Sequence, residues 1–284
     1  MAAPGILYII ATPIGNLSDI TLRALDTIKQ VQVLLAEDTR ITKKLLDHYG
    51  IHVRLESLHD FNESAKVETL IRELLGGADI GLVCDAGTPL ICDPGFRLAL
   101  AANKKGIAVR PVPGPCALVT ALTVSGLPTD RFVFEGFLPK KVAERGEFLK
   151  SLRHESRTMV FYEAPQRLRR SILDCIRVFG GSRNAAVLRE LTKLHEQHLT
   201  GSLEQIECVL GDAAQVVKGE CVLVIAGDVS SADEERLEKA AHLLADLQGR
   251  ISHRDAVEVV ARHTGLGRNR LYALGLDARL KKQS

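Results

Sequence analysis

The 284-residue sequence has no tryptophan, only two methionines and an aromatic content of 4%. No run of apolar residues approaches the roughly 20 residues that a membrane-spanning helix needs. The residues that precede Ile6 carry neither a basic flank nor a segment that resembles a cleavage site. We therefore expect a soluble cytoplasmic protein that has no membrane partner.

Several site motifs are also absent. The six cysteines form no C-x-x-C pair, which argues against a disulfide framework and against a zinc site, and we expect them to be small buried side chains. The nine histidines include no H-E-x-x-H motif, so no metal site is expected. Neither G-x-G-x-x-G after the first strand nor G-x-x-x-x-G-K-[ST] occurs, which disfavours a Rossmann-type site and a P-loop.

The residues that are present predict a folded protein of two modest domains and a small appendage, with 46% hydrophobic and 25% charged residues. Strands alternate with helices over the first 112 residues, which predicts a doubly wound α/β domain. The predicted strands cover residues 6–11, 31–36, 54–57, 80–84 and 107–112. Helix caps are predicted at Ser18 or Asp19, at Asn62 and at Asp93.

A second α/β domain is predicted to begin where Gly126-Leu127-Pro128 interrupts the pattern, and its last strand ends near Ala226. The predicted boundaries are 1–118, 119–228 and 229–284, the last part consisting of a linker (residues 228–232) and a helix-turn-helix-like tail. The tail's signals are a capping-box-like Ser252 with Asp255 and a turn at residues 265–267, with Asn269 near the next cap. A plain helical hairpin that packs on the domain or on a partner subunit is the alternative.

Two loops at predicted carboxyl ends of strands have the composition of a ligand site. The first runs from Asp85 to Gly95 and offers a fixed carboxylate and small residues, with Pro94 in the first turn of a helix. The second, residues 111–117, ends at Pro115, which is predicted to open another helix. Open α/β sheets bind ligands at this edge, although any turn between a strand and a helix needs glycine and proline.

Further motifs carry a resemblance to a known family. Residues 11–16, 85–89 and 161–167 resemble the tetrapyrrole-methylase superfamily of S-adenosylmethionine-dependent methyltransferases. Residues 113–115, 136–139 and 189–193 are similar to the bacterial branch that methylates the ribose 2′-hydroxyl of cytidine in small-subunit ribosomal RNA. The resemblance covers about residues 5 to 228. Cys84 and Cys116 stand where serine is expected, and Gln166 stands where histidine is expected.

The resemblance implies a two-domain tetrapyrrole-methylase-like (class III methyltransferase) α/β fold with a small C-terminal helical tail, as a homodimer. It implies S-adenosyl-L-methionine as cofactor, and ribosomal RNA or the assembled small ribosomal subunit as partner. The residues expected at the cofactor are Pro13, Asp85, Ala86, Gly87, Thr88, Cys116, Ala117, Phe161 and Ala226.

The distribution of charge favours nucleic acid more than the net charge of +2 does. Between Leu138 and Lys193 there are thirteen Lys or Arg residues against six acids. A second basic cluster lies in the tail: Arg250, Arg254, Arg262, Arg268, Arg270, Arg279, Lys281 and Lys282. These clusters are interpreted as an RNA-binding surface, and solvated helix faces are the alternative.

Methyl transfer to a ribose hydroxyl requires that the hydroxyl loses its proton, and a carboxylate or lysine near the cleft could accept it. The catalytic candidates at strand ends are Glu190, Glu163, Lys193 and Asp38, together with Glu37. Each could instead cap a helix or join a surface ion-pair network. Two other functions stay open at this point: a small-molecule methylase of the corrin pathway, and a nucleic-acid-binding module without activity.

Overall fold

The computed structural model describes residues 3–212, 219–247, 250–272 and 274. Two five-stranded sheets follow one another along the chain, and a helical tail comes after them. The strands are β1 (Ile6–Ile10), β2 (Val33–Ala36), β3 (Arg54–Ser57), β4 (Ile80–Val83), β5 (Ala108–Val112), β6 (Phe132–Phe137), β7 (Thr158–Glu163), β8 (Asn184–Arg189), β9 (Gln197–Ser202) and β10 (Cys221–Ile225). The helices are α1 (Leu22–Gln30), α2 (Thr39–His48), α3 (Glu63–Leu75), α4 (Phe96–Lys104), α5 (Ala117–Val124), α6 (Val142–Ser151), α7 (Leu168–Phe179), α8 (Leu203–Asp212), α9 (Val229–Leu247) and α10 (His253–Thr264).

The first sheet is parallel throughout and has the order β3-β2-β4-β1-β5. Strands β2 and β4 are buried along their whole length, as their uninterrupted apolar sequences predict. Helices α3 and α4 cover one face through side chains such as Leu74 and Leu98. Helices α1 and α2 cover the other face through Ile28 and Leu45. The prediction of a doubly wound domain is confirmed.

The second sheet is mixed and has the order β6-β7-β10-β8-β9, in which only β6 and β7 are parallel neighbours. Cys221 pairs with Glu163 on one side and with Arg189 on the other. The carboxyl ends of β7 and β8 therefore lie at one edge of this sheet, as predicted.

Helix α5 follows the last strand of the first sheet but packs on the second sheet. Its buried Leu118 and Leu122 belong to a cluster with Val160 and Val222, while α6, α7 and α8 cover the opposite face. The domain boundary predicted after residue 118 falls in the first turn of α5 and stays a prediction.

Several helix starts differ from the predictions. Thr21, rather than Ser18 or Asp19, caps α1 by accepting a hydrogen bond from the backbone N–H of Ala24 at 3.1 Å. The chain first forms a short 3₁₀ helix at Leu17–Asp19, which places both predicted residues before the cap. Asn62 stands at the cap position of α3 but makes no side-chain capping hydrogen bond there.

The helix predicted to start at Pro94 starts at Phe96, with Gly95 (φ 114°) at its cap. Asp93 is not the cap. The backbone N–H of Leu98 donates instead to the buried carboxylate of Glu63 at 3.1 Å, so a residue of α3 caps α4. Helix α5 likewise begins at Ala117 instead of Pro115.

The tail begins without the predicted linker, because α9 starts at Val229, directly after Asp228. Ser252 caps α10 by accepting from the N–H of Asp255 at 3.2 Å, and Gly265 (φ 71°) ends it, as predicted. A further helical segment covers residues 268–272 and so includes the predicted cap residue Asn269.

The tail contains an apolar cluster of its own, in which Leu244, Val257 and Leu271 are buried. The predicted basic residues Arg279, Lys281 and Lys282 lie outside the described residues. Within the described part of the chain, no helix is long and apolar enough to cross a bilayer.

Candidate active site

A cavity of about 370 Å³ lies between the two sheets. The loops at the carboxyl ends of the first sheet's strands line one side, and the end of β7 and the start of β10 line the other. This volume is within the range of small-molecule sites. Its lining residues are Ile14, Asp85, Ala86, Gly87, Thr88, Ile91, Cys92, Asp93, Cys116, Ala117, Phe137, Tyr162, Glu163, Ala164, Pro165, Gly219, Glu220, Cys221 and Val222. Both domains therefore contribute to the cavity.

The loops of the first domain are tied together at this cavity. Thr12 and Gly87 exchange backbone hydrogen bonds of 2.8 and 3.1 Å, which joins the loop after β1 to the loop after β4. The hydroxyl of Thr88 donates to the carbonyl of Pro115 at 3.0 Å, which joins the second of these loops to the start of α5. Gly87 has φ 91°, a conformation that favours glycine.

Six of the nine residues expected at a cofactor line this cavity: Asp85, Ala86, Gly87, Thr88, Cys116 and Ala117. Pro13, Phe161 and Ala226 are not among the lining residues. Phe161 is fully buried in the cluster on the far face of the second sheet, since side chains alternate along β7. Ala226 follows the opposite end of β10 from Cys221, about 17 Å along the strand direction.

Some lining residues were not predicted from the sequence. Tyr162 follows Phe161 and faces the cavity. Its ring lies edge-on to the rings of Phe134 and Phe137, with ring centroids 4.9 and 5.5 Å apart. The alternation of β7 was the signal that could have found it. Burial raises the pKa of Tyr162, so its hydroxyl stays protonated at neutral pH.

The cysteines are not uniformly buried, contrary to the expectation. Cys84, Cys175 and Cys221 are buried, but Cys92 and Cys208 are exposed. Cys92 lines the cavity in a left-handed conformation (φ 68°), because the chain turns tightly between β4 and α4.

Three carboxyl groups meet at the end of β2 and β4. Burial, followed by the charges of Asp85 and Asp93, raises the pKa of Glu37 to about 7. Oδ1 of Asp85 accepts a hydrogen bond from the backbone N–H of Asp38 at 2.9 Å, which joins the ends of β2 and β4 beside Glu37. Burial also raises the pKa values of Asp85 and Asp93. Glu37 is thus close enough to the lining residues Asp85 and Asp93 for their charges to act on it.

The contacts of Asp38 are those of a helix cap and an ion pair. Its Oδ1 accepts from the backbone N–H of Arg40 at 2.8 Å and caps α2. Its Oδ2 lies 2.6 Å from the Arg40 guanidinium, and these hydrogen bonds lower the pKa of Asp38 to about 2.

Glu163 lines the cavity, but both of its carboxylate oxygens are occupied. Oε1 accepts from the backbone N–H of Ala164 at 2.7 Å and is paired with Arg167. Oε2 accepts from the hydroxyl of Ser171 at 2.5 Å. Glu163 is 2% exposed as a residue, so its side chain links β7 to α7 from a buried position.

The turn after β8 brings Glu190 and Lys193 together. Oε1 of Glu190 accepts from Lys193 Nζ at 2.9 Å and from the backbone N–H of Glu220, a lining residue, at 3.1 Å. Burial acts to raise the pKa of Glu190, but these hydrogen bonds outweigh it and hold that pKa below its usual value. The same pairing outweighs burial and raises the pKa of Lys193, so both groups are ionised at neutral pH.

The basic surface predicted between residues 138 and 193 is largely neutralised in the fold. Arg145 is 1% exposed and bound to Asp174, and Arg183 is largely buried beside Asp228. Nine of the thirteen basic residues form ion pairs with acids: Lys141, Arg145, Lys150, Arg157, Arg167, Arg169, Arg177, Arg183 and Lys193. Six of these nine pairs join residues within four positions of each other, whereas the partners of Arg145, Arg169 and Arg183 are distant in the sequence. The RNA-binding surface stays a prediction.

Two α/β domains with a cavity between them, lined by loops at carboxyl strand ends, are the arrangement expected of a two-domain tetrapyrrole-methylase-like methyltransferase. The family model for Tetrapyrrole (Corrin/Porphyrin) Methylases matches residues 6–207, and the model for the RsmI C-terminal HTH domain matches residues 234–279. The chain belongs to the tetrapyrrole methylase family and is a methyltransferase that uses S-adenosylmethionine. The alternative of a binding module without activity is thereby removed.

Two relatives that are similar over almost the whole chain share one name. Ribosomal RNA small subunit methyltransferase I of Xylella fastidiosa is 44% identical over 272 residues, which cover 96% of this chain and 99% of the relative. The protein of the same name from Escherichia coli O157:H7 is 44% identical over 273 residues, which cover 96% of this chain and 95% of the relative.

Two solved structures share the fold at low identity. Uroporphyrin-III-C-methyltransferase from Thermus thermophilus has a TM-score of 0.54 at 21% identity and covers 81% of this chain and 98% of its own. A diphthine synthase has a TM-score of 0.59 at 14% identity, and the match covers 78% of this chain and 90% of the synthase chain.

Proposed function

We propose that this chain transfers a methyl group from S-adenosylmethionine to the ribose 2′-hydroxyl of a cytidine in small-subunit ribosomal RNA. The full-length similarity to proteins named Ribosomal RNA small subunit methyltransferase I supports the substrate class. The cavity shared by both domains supports the reaction, since alignment of the hydroxyl with the methyl group and exclusion of water are its main requirements.

One experiment separates this function from the alternative of a corrin-pathway methylase. The full chain is incubated with methyl-labelled S-adenosylmethionine and with naked small-subunit rRNA, assembled small subunits or tetrapyrrole precursors. Label in the RNA of either ribosomal sample, located at a cytidine ribose, is the expected result. Label only in the tetrapyrroles would assign the chain to the alternative.

The cofactor is proposed to lie against residues 85–88 and 116–117. The carboxylates of Asp85 and Asp93 suit the cationic sulfonium and ammonium groups of S-adenosylmethionine, and the bare backbone of Gly87 leaves room for it. A Cβ at Gly87 would lie 3.3 Å from Cγ2 of Ile14, which is another lining residue.

Calorimetry with Gly87→Val tests this position, and Gly106→Val is the matched control. Both glycines have positive φ (91° and 70°), but nothing lies within 4 Å of a Cβ at Gly106. Binding should be lost in the first variant and retained in the second. Equal binding by both would remove the Gly87 loop from the site.

Glu37 is proposed as the group that accepts the hydroxyl proton. Among the candidates, Asp38 and Glu163 are held by ion pairs and Glu190 by Lys193, whereas Glu37 borders the cavity wall with a pKa near neutrality. Glu37→Gln should lower the single-turnover rate about 100-fold or more without changing cofactor affinity. The wild-type rate should fall below pH 7, and a variant with the wild-type rate would exclude the role.

Glu190 and Lys193 are proposed to hold the RNA backbone near the cavity, with Lys193 as the phosphate ligand. Lys193→Ala should weaken RNA binding and reduce its salt dependence, and Glu190→Gln should lower kcat with cofactor affinity unchanged. RNA titrations at two salt concentrations and single-turnover rates that match the wild type would assign the pair to structure alone.

A homodimer in the cytoplasm is proposed from the family resemblance. Val119 and Val124 of α5 are both exposed, and this apolar surface is available to a partner chain. Light scattering of the purified chain should give twice the mass of one chain, and a monomer at micromolar concentration would contradict the proposal.

A further inference from the structure

Phe61 is the most exposed large apolar side chain of the described residues, at 98%. The chain has only eight phenylalanines and no tryptophan, and burial of such a side chain normally stabilises a fold. Single exposed apolar residues are common, so exposure alone carries no conclusion. What distinguishes Phe61 is how its backbone is held.

Phe61 occupies the tip of a tight turn formed by residues 59–62, between β3 and α3. The backbone N–H of Asn62 donates to the carbonyl of His59 at 3.0 Å, and the N–H of His59 donates back to Asn62 Oδ1 at 2.9 Å. The amide of Asn62 also donates to the carbonyl of Ser57 at 3.3 Å. Asn62 therefore closes the turn instead of capping α3.

The two ends of the turn are anchored in the core. Leu58 is fully buried, and its N–H donates to the carbonyl of Ala36 at 2.7 Å. On the other side the buried carboxylate of Glu63 accepts from the N–H of Leu98. With both flanks fixed, the turn presents the aromatic ring to solvent, where its centroid lies 6.1 Å from that of the His59 ring in an edge-on arrangement.

The turn lies at the carboxyl ends of the first sheet's strands, as the cavity does. It follows the carboxyl end of β3, the neighbour of β2 in the sheet. The charge of Asp60 acts on Glu37 and on the lining residue Asp93, and it contributes to the raised pKa of each. This neighbourhood is acidic, so it repels phosphate groups and anionic surfaces and leaves the uncharged faces of bases as the favourable contact.

We propose that Phe61 is a stacking platform for a nucleobase of the RNA substrate, close to the nucleotide that is methylated. The proposal deepens the proposed function, on which it rests for the RNA substrate. A ribose that enters a cavity must come from a strand whose bases are unstacked, and proteins stabilise such bases by stacking them on aromatic side chains. The fixed turn lowers the entropy lost when the base binds.

The test measures binding by the full chain loaded with S-adenosylmethionine. The two probes are a single-stranded oligocytidylate and a polyphosphate of the same charge, which has no bases. Phe61→Ala should weaken binding to oligocytidylate by about 5- to 150-fold and leave polyphosphate binding unchanged. Phe61→Tyr should retain wild-type affinity, and Phe61→Leu should lose affinity because it is apolar but cannot stack.

Phe132→Ala is the matched control, since Phe132 is also solvent-exposed (41%) but starts β6, away from the cavity. It should bind both probes as the wild type does. Oligocytidylate binding by Phe61→Ala or Phe61→Leu that equals the wild type would overturn the stacking role. If the wild type shows the stacking signature but transfers no methyl group to RNA, the proposed function fails and the binding proposal stands.

Discussion

At the scale of single residues, Asp174 shows how surroundings decide the value of an ion pair. Arg145 donates to its Oδ2 at 2.6 and 2.8 Å from a fully buried position, and also donates to the carbonyl of Pro139 at 3.0 Å. Arg177 binds the other oxygen at 2.6 Å, but its side chain is 70% exposed. The two arginines share a partner and differ mainly in burial.

Arg145→Ala is therefore expected to destabilise the protein by about 3 kcal/mol, because it leaves a cavity and an incompletely paired buried carboxylate. Arg177→Ala is the internal control and should cost less than about 1 kcal/mol, since solvent screens that pair. Urea unfolding of the two variants measures both values. Equal losses would mean that burial does not govern this pair.

Glu37 gives the stability a defined pH dependence. Its pKa is raised from 4.5 to about 7 in the folded chain, so between these values the folded state binds more protons than the unfolded state. The stabilising contribution is complete below pH 4.5 and is lost as the pH rises through 7. Glu37→Gln should remove this decline, which amounts to about 1 kcal/mol after allowance for solvent screening.

Urea unfolding of both proteins at pH 5 and pH 8 measures the Glu37 contribution. The gain in stability of the variant relative to the wild type should be larger at pH 8. The same difference at both pH values would show that Glu37 titrates normally. Asp38, which has a lowered pKa, loses its contribution only toward pH 2 and does not interfere in this window.

At the scale of elements, the loop after β1 meets the turn after β8, and this contact joins the two domains. A Cβ on Gly15 would lie 2.9 Å from the carbonyl oxygen of Leu191 and 2.9 Å from Thr192 Oγ1, closer than real contacts allow. The turn itself is tight, with Glu190 at φ 48° and Thr192 at φ 66°, so it has little freedom to yield.

Gly15→Ala is expected to cost about 1–3 kcal/mol and to weaken cofactor binding, because the neighbouring Ile14 lines the cavity. Gly146→Ala in α6 is the control, since nothing lies within 4 Å of the added Cβ and alanine favours the helix by up to about 1 kcal/mol. Thermal unfolding and calorimetry report the two effects. Wild-type values for Gly15→Ala would show that the contact adapts freely.

At the scale of the whole molecule, the tail is expected to be separable from the two sheets. Its buried cluster is built from residues such as Leu244, Val257 and Leu271, none of which belongs to the clusters of the sheets. A chain ended after Asp228 should remain soluble, unfold cooperatively and bind S-adenosylmethionine with wild-type affinity. Calorimetry and circular dichroism check this, and an insoluble chain would contradict the boundary.

The sequence by itself determined the features that depend on local pattern. Apolar runs and turn residues placed the strands of the first sheet within about two residues, because burial and backbone freedom depend on neighbouring side chains. The composition of residues 85–88 and 116–117 marked them before the cavity was seen, since a tight loop at a strand end requires small residues. The Ser252 cap was also predicted, because a capping box is recognised from two residues three positions apart.

Only the tertiary structure decided which distant groups meet. Glu63 caps a helix that begins 33 residues later, and Arg145 binds Asp174, 29 residues away. Arg145, which was counted toward an RNA-binding surface, therefore forms a buried ion pair instead. The exposure of Phe61 and the raised pKa of Glu37 arise in the same way. Such properties depend on how separate elements pack against one another. A local pattern shows that a side chain will be buried, but it does not specify which distant residue will contact it.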